Sequence, residues 1–480
     1  MLGVITRVLQ SISYVTSIPE PGIRLLFAIL CGYLLAWFQR DFLHRKGATV
    51  KHVYFSLTGF GLAYFCYGIY VYHSLISILV NYLLLAVLGG TLPVVVVSFI
   101  FNLGYLVIAY LVVSTDDYDI LWTTPQCIMC LRLIGLAFDL YDGNRPQEEL
   151  SKEQSQLCIK TAPSLLQVTS YTFYFGGYFV GPQFAIRRFQ DFVDEKFLAN
   201  TDGKPPDTTL PALKRLFLGV VYATVHTIVG SMFTTEYLTS QEFDNSSLLY
   251  KVFFVAVWGR ILIARYISVW LFAEGSCILS GLAFNGHDEY NQVKWDGVAN
   301  VRLRIYETTW AWKGCIESFN INTSQWAARY IYKRLRFLGN KMYSQALTLF
   351  FLALWHGYFI GYFVCFFFEM LCVQLENHVT ALVAKSPRLQ NFFSHPVVRP
   401  IAFVCSRALT ISVMGYAVVA FTLLRYHRFS QVYYSMYYIW HWLLFGWIPL
   451  FYFVLNPMFR KPKSNASQEP EKTTEEKKTE

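Results

Sequence analysis

The chain has 480 residues, of which 55% are hydrophobic, 18% aromatic and only 15% charged, with a formal net charge of +9. Soluble domains carry roughly 25% charge, so this balance excludes a disordered chain, a collagen, a small disulfide scaffold and most soluble enzymes. It predicts an all-α, polytopic membrane protein whose basic residues, clustered in short loops, serve orientation and anionic headgroups rather than nucleic acid.

Leu2, Ile5, Leu9, Ile12 and Tyr14 to Val15 recur at helical spacing until Pro19 and Pro21, predicting an amphipathic interfacial segment over residues 1–21. It does not read as a cleavable signal, because no basic region precedes an apolar core and Arg7 interrupts the run. Residues 22–458 form the membrane domain. Its apolar runs are Arg24–Gln39, Tyr54–Val71, Leu75–Gly89, Leu92–Val113, Ile128–Leu140, Leu165–Val180, Leu213–Phe233, Leu248–Cys277, Gln345–Leu375, Pro400–Leu424 and Val432–Leu455. A straight span needs about 20 residues, so these roughly eleven runs include some that tilt, kink or re-enter. No repeat or inverted symmetry is evident, which argues against a transporter.

Polar stretches at 141–162, 183–212 and 284–344 interrupt the pattern, the last rich in aromatics and amphipathic segments. Residues 459–480 are charged and lack apolar periodicity, predicting a disordered tail. Arg40, His44, Arg45, Lys46 and Lys51, and again Arg460, Lys461 and Lys463, place both flanking regions in the cytosol. Lys477-Lys478, followed by Thr479-Glu480, resembles the dilysine retrieval signal of endoplasmic reticulum membrane proteins. Asn245-Ser-Ser247 and Asn465-Ala-Ser467 fit the glycan sequon, the second on the cytosolic side and therefore unused. The ten cysteines lie mostly in apolar runs, so no disulfide framework is expected. Cys127 and Cys130 form a lone CxxC without a second pair, and no metal site is expected.

Polar groups inside apolar runs need a reason. His356 stands in Leu354-Trp355-His356-Gly357, where an imidazole can act as general base or acid and the glycine leaves room beside it. His226 and His441 compete for that role on composition alone. Arg132 and Asp139, seven apart, read as a structural ion pair, and Arg260, Arg265 and Glu274 as groups of the same kind. Glu369 lies thirteen residues beyond His356 and is a poor orienter for its ring. In Phe319-Asn320-Ile321-Asn322-Thr323-Ser324-Gln325-Trp326, the two asparagines face apart on a helix. Continued forward, that helix puts Asn320, Ala327, Arg334 and Lys341 on one drifting face, with Arg329, Lys333 and Arg336 on a separate basic stripe toward headgroups.

Segments 319–326 and 354–357 resemble the membrane-bound O-acyltransferases, which carry an aromatic-Asn-x-x-Thr-x-x-Trp segment and a downstream histidine in an apolar helix. Leu131 to Asp139, Phe175 to Pro182, Arg265 to Trp270 and Glu274 to Gly286 extend the likeness, in order, toward the lysophospholipid branch of that family. Phe319 stands where the family has tryptophan. The resemblance implies an irregular bundle of about eleven membrane or re-entrant helices around an internal chamber, with Asn320 and His356 as the catalytic pair. It also implies acyl transfer from acyl-CoA to a lysophospholipid, with lysophosphatidylcholine the main acceptor and polyunsaturated chains preferred. No cofactor is implied, acyl-CoA being a co-substrate, and Arg334 and Lys341 are the candidates for its phosphates. Expected partners are acyl-CoA, a lysophospholipid and membrane lipids, with homo-oligomer formation left open. A family member acting on a protein or sterol is the rival, and a transporter a more distant one.

Overall fold

A computed structural model describes residues 2–16, 18–115, 120–198 and 206–459. The expected tail and its Lys477-Lys478 pair lie outside the described residues. The chain runs through α1 (Leu2–Thr16), α2 (Glu20–Phe42), α3 (Ala48–Tyr67), α4 (Tyr72–Leu88), α5 (Leu92–Val113) and α6 (Thr123–Gly143). Four short helices follow or precede the next long one: α7 (Lys152–Leu157), α8 (Leu165–Phe173), α9 (Ile186–Val193), then the long α10 (Thr209–Gly230) and the short α11 (Gln241–Asn245). The 33-residue α12 (Leu248–Ser280) leads into a region of small helices, α13 (Leu303–Thr308), α14 (Trp312–Ser318) and α15 (Ile321–Ala327). The last part comprises α16 (Lys341–His356), α17 (Ile360–Lys385), α18 (Pro387–Ser394), α19 (Val398–Leu423), α20 (Tyr426–Ser435) and α21 (Ile439–Pro449). The protein is an all-α polytopic membrane protein. Among the described residues the only extended pairings are two isolated bridges, His287 with Val293 and Val301 with Phe319.

Among the described residues eight helical stretches are long and apolar enough to cross a membrane, fewer than the roughly eleven runs of the sequence. The difference has identifiable causes. Ala48–Leu88 counts as one stretch but holds both α3 and α4, separated at Gly68, whose φ of +56° only glycine adopts readily. The run at 165–180 is helical only to Phe173. The run at 128–140 falls in α6, which is not among the eight, whereas the runs at 345–375 and 432–455, though broken after His356 and between α20 and α21, each still contribute one stretch.

Sequence 128–140 lies inside α6, and α6 is buried on nearly every side. The expected Arg132–Asp139 ion pair does not form. Arg132 is fully buried, and its guanidinium donates to the carbonyls of Tyr171 and Thr172 at 3.0 Å each, Gly177 at 2.7 Å and Pro182 at 3.1 Å. The irregular segment after α8 leaves these carbonyls without helical partners, and one planar fork of donors satisfies four of them. A side chain at Gly177 would enter the guanidinium, with a Cβ only 2.3 Å from Nη2. Asp139 instead accepts from the Tyr330 hydroxyl at 2.7 Å. Glu274 and Arg260 do form structural ion pairs, as expected: Glu274 faces Arg215 at 3.1 Å, and Arg260 pairs with Glu307.

On its far side α6 meets a buried amide network. Asn81 and Asn102 exchange side-chain hydrogen bonds at 3.1 and 2.9 Å, Ser98 donates to Asn81 at 2.6 Å, and Gln126 of α6 donates to Ser77 at 2.7 Å. Hydrogen-bonded polar groups of this kind set helix register where lipid-like packing alone would let helices slide.

Replacing Arg132 with leucine leaves four interior carbonyls without donors and costs about 4 kcal/mol. The expected result is a large loss of thermal stability in detergent, read by fluorescence size-exclusion after heating. Arg336→Leu, at an exposed position, leaves the melting temperature unchanged.

Candidate active site

Asn320 is not part of a helix. It precedes α15 in the left-handed conformation, φ +49° and ψ +43°, which asparagine tolerates better than most residues. Its neighbours are pinned by the strand-like segment 300–302: Arg302 N–H donates to the Ser318 carbonyl at 2.9 Å and Ile321 N–H to the Asn300 carbonyl at 3.0 Å. Phe319 packs between Trp270 and Tyr306, ring centroids 4.9 and 5.5 Å away, so a single ring suffices there. Asn322 does point elsewhere, as expected, but because it lies in the first turn of α15 while Asn320 lies outside it. Its amide donates to the carbonyls of Val298 at 3.0 Å and Ala299 at 3.3 Å.

His356 is the last residue of α16. Gly357 ends that helix at φ +147°, and a Cβ there would sit 2.7 Å from the Tyr362 ring. The imidazole is boxed by Trp355, Tyr362, Phe366 and Phe421, with centroids 4.6–5.8 Å away. Among the described residues no side chain hydrogen-bonds the ring. Packing orients it, and Glu369 does not touch it. The end of α16 is held by Trp355, whose indole donates to the Cys127 carbonyl of α6 at 2.9 Å, and by the Tyr110 hydroxyl on the Trp355 carbonyl at 3.2 Å.

Asn320 and His356 line one cavity of about 180 Å³, together with Asn300, Thr323, Gln183, Tyr362 and Cys127. Asn300 and Gln183 gave no signal in the sequence, since each is a lone amide in an irregular segment. Cys127 Sγ donates back to the Thr124 carbonyl at 2.9 Å within its own helix. His226 and His441 lie elsewhere: the first donates to the Ile261 carbonyl at 3.0 Å, the second meets the Tyr416 hydroxyl at 2.7 Å.

The face expected to carry Asn320, Arg334 and Lys341 does not exist. After α15 the chain enters a π-helical turn, Ala328–Tyr332, then a turn and a 3₁₀ segment, Arg336–Leu338. A wider turn rotates every later side chain out of register. Arg334 therefore grips buried Asp142 through two hydrogen bonds of 2.9 and 2.5 Å and covers Phe138. Lys341 is exposed at the start of α16. Neither lines the cavity. Nor is the basic stripe free: Arg329 and Lys333 both pair with Glu153. Burial alone would push the Glu153 carboxyl up, but Lys333 and Arg329 outweigh it and hold it below the usual range.

A second cavity, also about 180 Å³, shares Gln183 with the first. Asp139, Arg188, Arg329 and Gln183 line it, and each carries a buried polar atom without a hydrogen-bond partner among the described residues: Asp139 Oδ2, Nε of both arginines and Gln183 Oε1.

Fold and site together define a multi-pass membrane protein with a histidine and an asparagine at an internal chamber. Residues 107–419 match the family model of the membrane-bound O-acyltransferases, and the chain belongs to that family. It is 41% identical over 422 residues to lysophospholipid acyltransferase 5 of Mus musculus, covering 88% of this chain and 86% of that one. Over 472 residues it is 36% identical to lysophospholipid acyltransferase 5 of Caenorhabditis elegans, covering 98% and 99% of the two chains. With membrane-bound glycerophospholipid O-acyltransferase 2 of Rattus norvegicus it shares 26% identity over 460 residues, 91% and 86% of the chains.

Gly357→Ala forces an unfavourable backbone at the end of α16 and pushes Tyr362 off the imidazole. A displacement of about 1 Å at such a ring costs on the order of 100-fold in turnover. The variant is expected to match the wild type in expression and melting temperature to within a few degrees while losing activity to that extent in a product-formation assay.

Proposed function

We propose that the protein transfers a fatty acyl chain from acyl-CoA to the free hydroxyl of a lysophospholipid, mainly lysophosphatidylcholine, and so remodels membrane phospholipids. The observation that carries this is the presence in one chamber of Asn320, just before α15, and His356, at the end of α16. The similarity to lysophospholipid acyltransferases supports a lysophospholipid as acceptor, and the motif likeness supports a preference for polyunsaturated chains.

The acceptor hydroxyl attacks the thioester carbonyl carbon. His356 takes the hydroxyl proton, a contribution of about 10²–10⁴-fold. Asn320 donates its amide to the acyl oxygen as charge builds there. The C–S bond then breaks, the ester remains on the phospholipid, and the proton passes from His356 to the departing CoA thiolate. No covalent acyl-enzyme is needed. For the CoA phosphates the second cavity replaces the expected Arg334 and Lys341. Arg188 and Arg329 line it, each with a buried Nε that has no hydrogen-bond partner among the described residues, beside the chamber and across Gln183.

The deciding experiment follows CoA thiol release by purified protein in micelles, with and without lysophosphatidylcholine. Release is expected only with the acceptor present. Asn320→Ala lowers kcat about 10²–10³-fold and His356→Ala abolishes transfer, both with unchanged folding. Arg329→Gln raises KM for acyl-CoA more than for the lysolipid, whereas Arg334→Gln lowers stability. Wild-type turnover in His356→Ala would remove the proposal.

We assign the protein to the endoplasmic reticulum membrane with its C-terminus in the cytosol, on the Lys477-Lys478 pair and the basic loops. Changing both lysines to serine is expected to let protein spread beyond that compartment in fluorescence images. An unchanged distribution would count against the signal.

A further inference from the structure

Asn300 is 5% exposed and lies between the two asparagines of the 319–326 segment. Its Oδ1 accepts from the Asn322 backbone N–H at 3.1 Å and from Asn322 Nδ2 at 3.2 Å. A backbone N–H can only donate, so the oxygen of the Asn300 amide must face Asn322. Asn322 is itself unambiguous, because its Nδ2 also donates to the carbonyls of Val298 and Ala299, which can only accept. The NH₂ of Asn300 is thereby turned the other way, toward Asn320, whose Oδ1 it meets at 3.4 Å. With its oxygen engaged, Asn320 has its own NH₂ left for the chamber.

We propose that Asn300 is a positioning residue that fixes the flip of the Asn320 amide, so that a donor and not an acceptor faces the reacting carbonyl. This rests on the proposed role of Asn320 as donor to the acyl oxygen. Orientation matters because a side-chain amide has two faces of similar shape and opposite polarity. A carbonyl turned toward a developing oxyanion repels it, whereas an N–H stabilises it. The fixed references are backbone groups, so the polarity is set by the chain path at 298–302 and passed outward through Asn322 and Asn300.

The test is Asn300→Asp, which keeps size and the acceptor for Asn322 but puts a second acceptor where the NH₂ stood. Asn320 then turns its own NH₂ to the new carboxylate and its oxygen into the chamber. Labelled phospholipid is followed for hours in micelles, so that losses of several thousand-fold stay measurable. Expected is a fall in kcat of about 100-fold, with both KM values within about twofold and an unchanged melting temperature. In an Asn320→Ala background the same change is expected to add less than about twofold, since its effect runs through Asn320. If Asn300→Asp does not give monodisperse protein, Asn300→Ser, which adds no charge and cannot reach Asn320, carries the same comparison. Unchanged kcat overturns the proposal, as does an equal loss in both backgrounds, which would mark a purely structural role. Wild-type activity in Asn320→Ala alone would instead overturn the role of Asn320.

Discussion

Two indole N–H groups set the geometry of the site. Trp326, in α15, donates to the Leu131 carbonyl at 2.9 Å, and Trp355, in α16, donates to the Cys127 carbonyl at 2.9 Å. These carbonyls are four residues apart, one turn of α6, and already serve the helix. Each therefore makes a second bond inside the protein, where a lost partner costs about 1–3 kcal/mol. Gly135 lets the first indole approach, since a Cβ there would lie 3.1 Å from Trp326 Nε1. The segment bearing Asn320 and the helix end bearing His356 are thus both indexed to one rail. Arg132, the residue after Leu131, ties the same rail to the 171–182 segment, which brings Gln183 to the chamber wall.

A helix with so many obligations cannot be read as a lipid-facing span. Its apolar run is short, because Arg132, Asp139 and Asp142 each serve a neighbour. The apolar runs of α2, α5, α10 and α12 were legible because lipid exposure demands long uninterrupted hydrophobic stretches. The breaks were not legible where they depend on tertiary contacts. Gly357 ends α16 because of Tyr362, and segment 174–185 stays irregular because Arg132 replaces its missing partners. The Arg132–Asp139 expectation failed for the same reason. Spacing of seven predicts a shared face, but carbonyls and a tyrosine hydroxyl compete for each charge.

At the site, the two central residues were legible through a motif, and their neighbours were not. Asn320 and His356 carry recognisable surroundings in sequence. Asn300 and Gln183 become visible only once the chain brings 300 beside 320 and 183 beside both cavities. The face extrapolated from Asn320 to Lys341 failed at a π turn that no periodicity in the side chains announces. It misplaced two arginines: Arg334, expected to face the chamber, binds a buried carboxylate instead, and Arg329, assigned to headgroups, lines an internal cavity. Ion-pair geometry decides this, since a two-point grip on Asp142 occupies the face of Arg334 that a phosphate would need.

The aromatic box around His356 constrains how a proton can move on the proposed reaction. An imidazolium there would have four rings and, among the described residues, no carboxylate paired with it, and rings compensate a buried cation only in part. A long-lived charged histidine is therefore costly at this position. The cost falls if the proton arriving from the acceptor hydroxyl leaves promptly for the CoA thiolate, so the histidine acts as a relay more than a store. This makes the placement of the two substrates relative to one imidazole the governing variable, and explains why the structure invests in fixing backbone. Gly357, the Trp355 indole and the Tyr110 hydroxyl all act on the end of α16 rather than on the ring. Asn320 is treated likewise, held in a left-handed conformation by the 300–302 segment. In each case the polar atom proposed to meet substrate has no hydrogen-bond partner among the described residues, and its aim is supplied by the main chain behind it.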